Sequence, residues 1–161
     1  MSNTMDFLVS YFLTHSLTIS CAESCTGGLV SDKLVQRSGS SAYFKASIVA
    51  YSKEIKQDFL SVPSLLIKEK GIVSADVAIA MALGCKNKFS TDWAISSTGF
   101  VEDIIIGEKL QNPIVCIGVV GPNVEEALMC KFTKESRNQV REKSVTQAFN
   151  FLSECIKNKT K

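Results

Sequence analysis

Ala22-Glu23-Ser24-Cys25-Thr26-Gly27-Gly28 is the stretch that decides how this chain folds, because it sets two hydroxyls and two glycines between a strand pattern and a helix pattern. Upstream, Leu17-Thr18-Ile19-Ser20-Cys21 is short, β-branched and apolar, as a buried strand requires. Downstream, Leu29, Val30, Lys33, Leu34 and Gln36 fall at helical spacing. The polar heptad therefore lies where a strand ends and a helix starts. The first N–H groups of a helix lack internal partners and its dipole is positive there, so a phosphate or a developing oxyanion would be stabilised. An ordinary helix cap with glycines for close packing would use the same residues.

Outward from this turn, helix and strand patterns alternate. Residues 6–14 carry Phe7, Leu8, Tyr11 and Phe12 as a helical stripe, residues 37–41 are loop-like, and residues 46–51 are strand-like. Short helices are expected over 52–60 and 64–70, the second preceded by Pro63 and stopped by Gly71, and Ser74 caps a helix running through Leu83. Residues 93–97 and 114–120 are apolar strands, and 126–132 pairs back across the Gly121-Pro122-Asn123 turn. Residues 136–157 form a closing helix with Val140, Val145, Ala148, Phe149 and Leu152 inward. The alternation predicts one three-layer α/β domain over residues 1–161, with a mixed sheet, helices on both faces, and ligands at strand carboxyl ends.

Composition excludes several function classes. With 161 residues, 45% of them hydrophobic, the chain can bury a sizeable core. A net charge of +2 gives no reason to expect a nucleic-acid partner, although from Lys131 onward basic residues outnumber acidic ones eight to three. No apolar run approaches the ~20 residues that cross a bilayer, and residues 1–6 lack the basic residues of a secretion signal, so a soluble cytoplasmic protein with no membrane partner is expected. Six cysteines without C-x-x-C spacing are expected to be reduced and buried, and with His15 as the chain's one histidine no metal site is expected. That scarcity also removes the usual base of a serine or cysteine nucleophile and leaves lysine as the obvious substitute.

Three further polar clusters fall near the same edge: Gly39-Ser40-Ser41, Tyr51-Ser52 with Lys56 four residues beyond Ser52, and Ser96-Ser97-Thr98-Gly99. A hydroxyl-rich set with one lysine fits serine–lysine acyl chemistry, in which a desolvated lysine with a lowered pKa takes the serine proton. Lys56 on a solvated helix face would have no such role, and periodicity alone does not separate the two readings.

The order AESCTGG, GSSAYF, AYSKEIKQDFLSVP, KGIVSADVAIAMA and a strand ending in STG resembles the CinA C-terminal domain family, whose stand-alone members are nicotinamide mononucleotide deamidases. The resemblance covers roughly residues 19–99, with a weaker tail over 132–147. It implies a compact α/β domain, typically assembled as a homo-oligomer, that hydrolyses the carboxamide of a small-molecule nucleotide, nicotinamide mononucleotide, to the acid and ammonia without a cofactor. Position by position, Ser24 matches the signature serine, and Thr26, Gly27 and Gly28 match the adjacent turn. Ser40 and Ser41 match the family's GSS, Tyr51, Ser52 and Lys56 its Y-S-x-E-x-K segment, and Thr98 with Gly99 the start of its T-G-I-A-G-P loop. Arg137 and Arg141 resemble its paired arginines, suited to bidentate phosphate contact. The resemblance thus implies Ser24 as nucleophile with Ser41 as rival, Lys56 as base, Tyr51 beside them, and Thr26, Gly27, Gly28, Ser40, Thr98, Gly99, Arg137 and Arg141 as substrate-binding groups.

One segment departs from the family pattern. After Thr98-Gly99 a glycine- and proline-rich loop is replaced by Phe100-Val101-Glu102-Asp103-Ile104-Ile105-Ile106, and β-branched residues tolerate positive φ poorly. Glu102 and Asp103 would repel a substrate phosphate if they faced it. The isoleucines form an apolar patch expected to pack on another subunit or to cover the pocket. A catalytically weak relative acting as an oligomeric interaction or nucleotide-binding module is the alternative reading.

Overall fold

The alternating apolar segments resolve, in a computed structural model that describes residues 2–159, into α1 (Ser2–Thr14), β1 (Ile19–Glu23), α2 (Leu29–Val35), β2 (Phe44–Val49), α3 (Lys53–Leu60), α4 (Ser64–Lys70), α5 (Ala75–Phe89), β3 (Trp93–Phe100), β4 (Ile104–Ile106), β5 (Lys109–Gln111), β6 (Ile114–Gly121), β7 (Val124–Lys131) and α6 (Arg137–Lys159). Five strands make one mixed sheet in the order β2-β1-β3-β6-β7, and β4-β5 is a separate hairpin. β1 runs parallel to both β2 and β3, whereas β6 and β7 are antiparallel additions. The α/β class with a mixed sheet is as expected.

Period-two alternation gives the sheet two apolar faces. Ile19, Cys21, Trp93, Ile95, Ile117 and Val119 join α1, α2 and α6 in one buried cluster. Ala22, Ala94 and Val120 join α3, α4 and α5 in another. Three layers are the direct result. The second face carries small residues because α5 presses close: Ser96 Oγ donates to the Ala78 carbonyl at 2.6 Å. Capping also obeys the sequence, since Ile55 N–H donates to Ser52 Oγ and Val77 N–H to Ser74 Oγ, each at 3.3 Å.

Several element ends lie a few residues from the sequence reading, β2 at Phe44–Val49 rather than 46–51 and α5 running on to Phe89 rather than Leu83 among them, and two differences have identifiable reasons. β1 begins at Ile19 rather than Leu17, because Leu17 N–H closes α1 on the Phe12 carbonyl and Thr18 N–H is taken by Asp92 Oδ2 at 2.7 Å. The shift places Ser24 immediately after the strand. Residues 104–111, read only as an altered loop, pair as a hairpin turning at Gly107 (φ 64°), with Ile105 76% and Ile106 56% exposed. No helix among the described residues is long and apolar enough to cross a membrane.

Register brings the site together. Glu23 lies opposite Val49 and Ala22 opposite Ser96, so the residues after β1 and β2 and the last turn of β3 converge at one sheet edge. α3 is held there by α5: a Cβ at Gly84 would overlap the Leu60 carbonyl oxygen and carbon, both of them backbone atoms that cannot swing away. Gly84→Ala is therefore expected to lower stability by about 1–3 kcal/mol, measured as a shift in denaturant midpoint at unchanged slope.

Candidate active site

Lys56 is fully buried, an unusual position for a lysine. Its Nζ lies 3.0 Å from Ser24 Oγ and 2.6 Å from the Ala50 carbonyl oxygen. Desolvation disfavours the ammonium and lowers its pKa to about 8, with the neighbouring Cys25 opposing weakly. Lys56 Nζ donates to both oxygens, and once neutral the amine has two N–H donors and one lone pair, so it can keep its bond to Ala50 and still offer a lone pair within reach of the Ser24 hydroxyl. Of the two open readings of Lys56, the solvated one is excluded by its burial. Cys25, also at the site, is pushed up to about 12 by its own burial, which keeps it a thiol at neutral pH.

The turn that presents Ser24 is organised by a group that sequence reasoning does not single out. Glu23 is fully buried, and its carboxylate accepts from Gly28 N–H at 2.9 Å, Val30 N–H at 3.1 Å, Ser31 N–H at 2.8 Å, Ser31 Oγ at 2.8 Å and Thr26 Oγ1 at 2.7 Å. This corrects the expectation that the start of α2 is open to a ligand anion. The chain's own carboxylate already occupies it. Thr26 is likewise fully buried and bridges to Ser97 Oγ at 2.6 Å, so Thr26 and Gly28 shape the turn from within.

Arg141 needs a similar correction. Its Nε donates to the Cys25 carbonyl at 3.2 Å and its Nη2 to the Thr26 carbonyl at 2.9 Å, so the guanidinium clamps the turn rather than standing ready for a phosphate. Gly27 takes φ 59°, which disfavours an L side chain, and a Cβ there would also crowd that Nη2 at 3.2 Å. Because a trans peptide points its C=O and N–H in opposite directions, holding the Cys25 carbonyl also sets the direction of the Thr26 N–H.

Beside the dyad lies a cavity of about 280 Å³ lined by Ser24, Cys25, Tyr51, Lys56, Ile72, Val73, Thr98, Gly99, Phe100, Val101, Glu102, Ile104 and Arg137. Ile72, Val73, Phe100, Val101 and Ile104 give it apolar walls. Thr98 Oγ1 donates to the Ile72 carbonyl at 2.9 Å, pinning the loop before α5 as one wall. Gly99 is required by packing, since a Cβ there would crowd the Ile114 carbonyl of β6. At the mouth, Arg137 Nη1 donates to Glu102 Oε1 at 2.7 Å and Nη2 to the Tyr51 hydroxyl at 3.1 Å.

The serine–lysine pair in an α/β edge cavity can be set beside known proteins. A sequence profile described as the CinA C-terminal domain matches residues 2–156. The chain belongs to the CinA C-terminal domain family. A CinA-like protein of Prochlorococcus marinus subsp. pastoris is 38% identical over 140 residues, which is 86% of this chain and 32% of that one. One from Dictyoglomus thermophilum is 39% identical over 157 residues, 95% of this chain and 37% of that one. The chain thus spans about a third of the length of the curated relatives it matches. The crystal structure of competence damage-inducible protein A from Klebsiella pneumoniae superposes with a TM-score of 0.88 at 21% identity, covering 96% of this chain and 95% of that one, which shows the shared fold.

Among the positions carried over from the family, Ser24, Tyr51, Lys56, Thr98, Gly99 and Arg137 come together around the cavity. Ser40 and Ser41 do not. They lie in a short 3-10 turn before β2, at the opposite end of that strand from Ala50, roughly 20 Å away along it. Ser41 is thereby removed from the reach of Lys56 within one chain, and hydroxyl composition alone has no means of telling one strand end from the other.

The lysine sets two pH dependences. If it acts as a base, kcat/KM rises through an apparent pKa of about 8, well below the ordinary lysine value. Stability moves in a related way. Below about pH 8 the native chain carries the full cost of a buried ammonium; above that the native state sheds its proton before the unfolded one, and near 10.5 the cost is gone. Lys56→Met is therefore expected to be more stable than the parent at pH 7 by about 1–2 kcal/mol, with the advantage fading toward pH 10 when melting temperatures are compared across pH.

Proposed function

We propose that this chain is a serine–lysine amidohydrolase acting on a nicotinamide-type carboxamide, with nicotinamide mononucleotide as the substrate suggested by the family resemblance. The observation that carries the reading is the 3.0 Å contact between Ser24 Oγ and the fully buried Lys56 Nζ, whose pKa is lowered to about 8. Neutral Lys56 takes the Ser24 proton as Oγ attacks the carboxamide carbon. The tetrahedral intermediate collapses when the Lys56 ammonium returns that proton to the leaving nitrogen, releasing ammonia and leaving an ester on Ser24. A water, deprotonated by Lys56, then attacks the ester to give the acid and restore the serine hydroxyl. The N–H groups of Cys25 and Thr26 follow Ser24 in the turn and are assigned to the developing oxyanion, with Arg141 fixing the turn through the two carbonyls it holds.

A homo-oligomeric interaction module is the second reading, supported by Ile105, Ile106 and Leu110, which stand 76%, 56% and 67% exposed on the β4-β5 hairpin.

Ammonia release from nicotinamide mononucleotide tests the first reading. Ser24→Ala is expected to reduce it by at least about 10³-fold while changing stability by no more than about 1 kcal/mol. Lys56→Arg is expected to be as damaging as Lys56→Ala, because a guanidinium stays protonated and cannot serve as base. Near-parental turnover in the arginine variant would remove Lys56 from the mechanism, and loss of turnover in Ser41→Ala would move the nucleophile.

A further inference from the structure

The parallel ladder between β1 and β3 ends at Ala22 opposite Ser96, one residue short of Glu23 and the turn that follows it. Ser97 is the next residue on β3, and its side chain carries the join onward. It is 1% exposed, and its Oγ lies 2.6 Å from Thr26 Oγ1. Thr26 has one hydroxyl hydrogen and spends it on the Glu23 carboxylate at 2.7 Å, so Ser97 is the donor in the bond between the two hydroxyls. The Ser97 oxygen keeps acceptor capacity, and it also hydrogen-bonds the Cys25 thiol.

One hydroxyl thus touches the side chains of the two residues whose N–H groups are assigned to the oxyanion. Arg141 holds the same two residues by their carbonyls and ties them to α6. Ser97 ties them to the sheet. The difference matters because the residue after Ser97 is Thr98, which lines the cavity and pins its Ile72 wall. The cavity wall and the turn are therefore referred to one another through two consecutive residues of β3. Thr26 is fully buried, so no water stands ready to replace the bond that Ser97 makes.

We infer that Ser97 is a positioning residue for the amide hydrolysis proposed above, acting through Thr26 and Cys25 to keep the oxyanion donors in register with the cavity wall. This rests on the amidohydrolase reading. The wall places the substrate carboxamide and the turn places the donors that its oxygen meets once it becomes tetrahedral, so a loosened turn weakens the tetrahedral state and spares the planar one.

Ammonia release from nicotinamide mononucleotide and calorimetric binding of nicotinamide and pyridine-3-boronic acid test the inference together. With the boronic acid, Ser24 Oγ adds to the trigonal boron: an O–B bond forms, the hydroxyl proton passes to neutral Lys56, and the boron becomes tetrahedral and anionic, with a bound hydroxyl in place of the oxyanion. Ser97→Ala is expected to lower kcat by about 10–100-fold and to leave KM within about twofold. It is expected to weaken boronic acid binding by about tenfold or more while nicotinamide affinity changes by less than about twofold. Ser97→Cys, which keeps a weaker donor of similar size, is expected to recover part of both losses. Parental kcat in Ser97→Ala, a rise in KM alone, or equal losses of nicotinamide and boronic acid affinity would each overturn the inference. If Ser97→Ala does not fold, parental kcat and boronic acid affinity in Ser97→Cys would overturn it as well. Absence of Ser24-dependent ammonia release from the parent would sink the amidohydrolase reading, and Ser24-dependent boronic acid binding that still falls in Ser97→Ala would uphold the role of Ser97 in placing the donors. A parent that binds no boronic acid through Ser24 would overturn that role.

Discussion

A carboxylate with no access to water, Glu23, is the constraint on which the rest of the site depends. Burying an ionised carboxylate is costly unless its oxygens are filled with donors, and here they are filled by backbone N–H groups from the turn and the first residues of α2, together with the hydroxyls of Thr26 and Ser31. Thr26 extends the network to Ser97 on β3, so one charge ties together β1, α2 and β3. The Ser24 hydroxyl has its place because the backbone on either side of it is held by these bonds. A helix start commonly used to hold a ligand is used in this chain to hold its own turn rigid.

The second buried charge has the opposite character. Lys56 has a single carbonyl and one hydroxyl as polar partners, one fewer than the three N–H groups of an ammonium, and its burial away from water lowers its pKa. Glu23 is surrounded by donors, whereas Lys56 is buried with few acceptors and driven toward its neutral form. With one group fixing the backbone beside the Ser24 hydroxyl and the other facing that hydroxyl, the pair suits a rigid nucleophile and a ready base. Instability at the lysine is what the base role proposed for it would entail, as is common where function and folding compete for the same residue.

Much of this is readable in the sequence because periodicity reports which strand ends converge. The β1 turn, the Ser52-capped helix carrying Lys56 and the Thr98-Gly99 strand end are all legible from spacing and capping residues. Glu23 is not, since an acid before a helix looks the same whether it is a solvated charge or a buried cap. Arg141 misleads because its partners lie 116 and 115 residues away, and an arginine near a ligand site carries no mark saying whether it binds ligand or backbone. Ser40 and Ser41 mislead because a hydroxyl cluster has no direction along a strand. The charge of Glu102 is recognisable as hostile to phosphate, while its pairing with Arg137 emerges only from the fold.

The β4-β5 hairpin sits on a stem that isolates it. β3 and β6 are paired without interruption up to Phe100 opposite Ile114, so everything between those two residues leaves the sheet and returns to it at fixed register. Ser24 and Lys56 both come from the parallel half, and neither depends on the length or composition of that excursion. The hairpin is in this sense an exchangeable cassette. Sequence change in the hairpin can therefore reshape the outer wall of the cavity while the Ser24–Lys56 contact beneath it keeps its geometry.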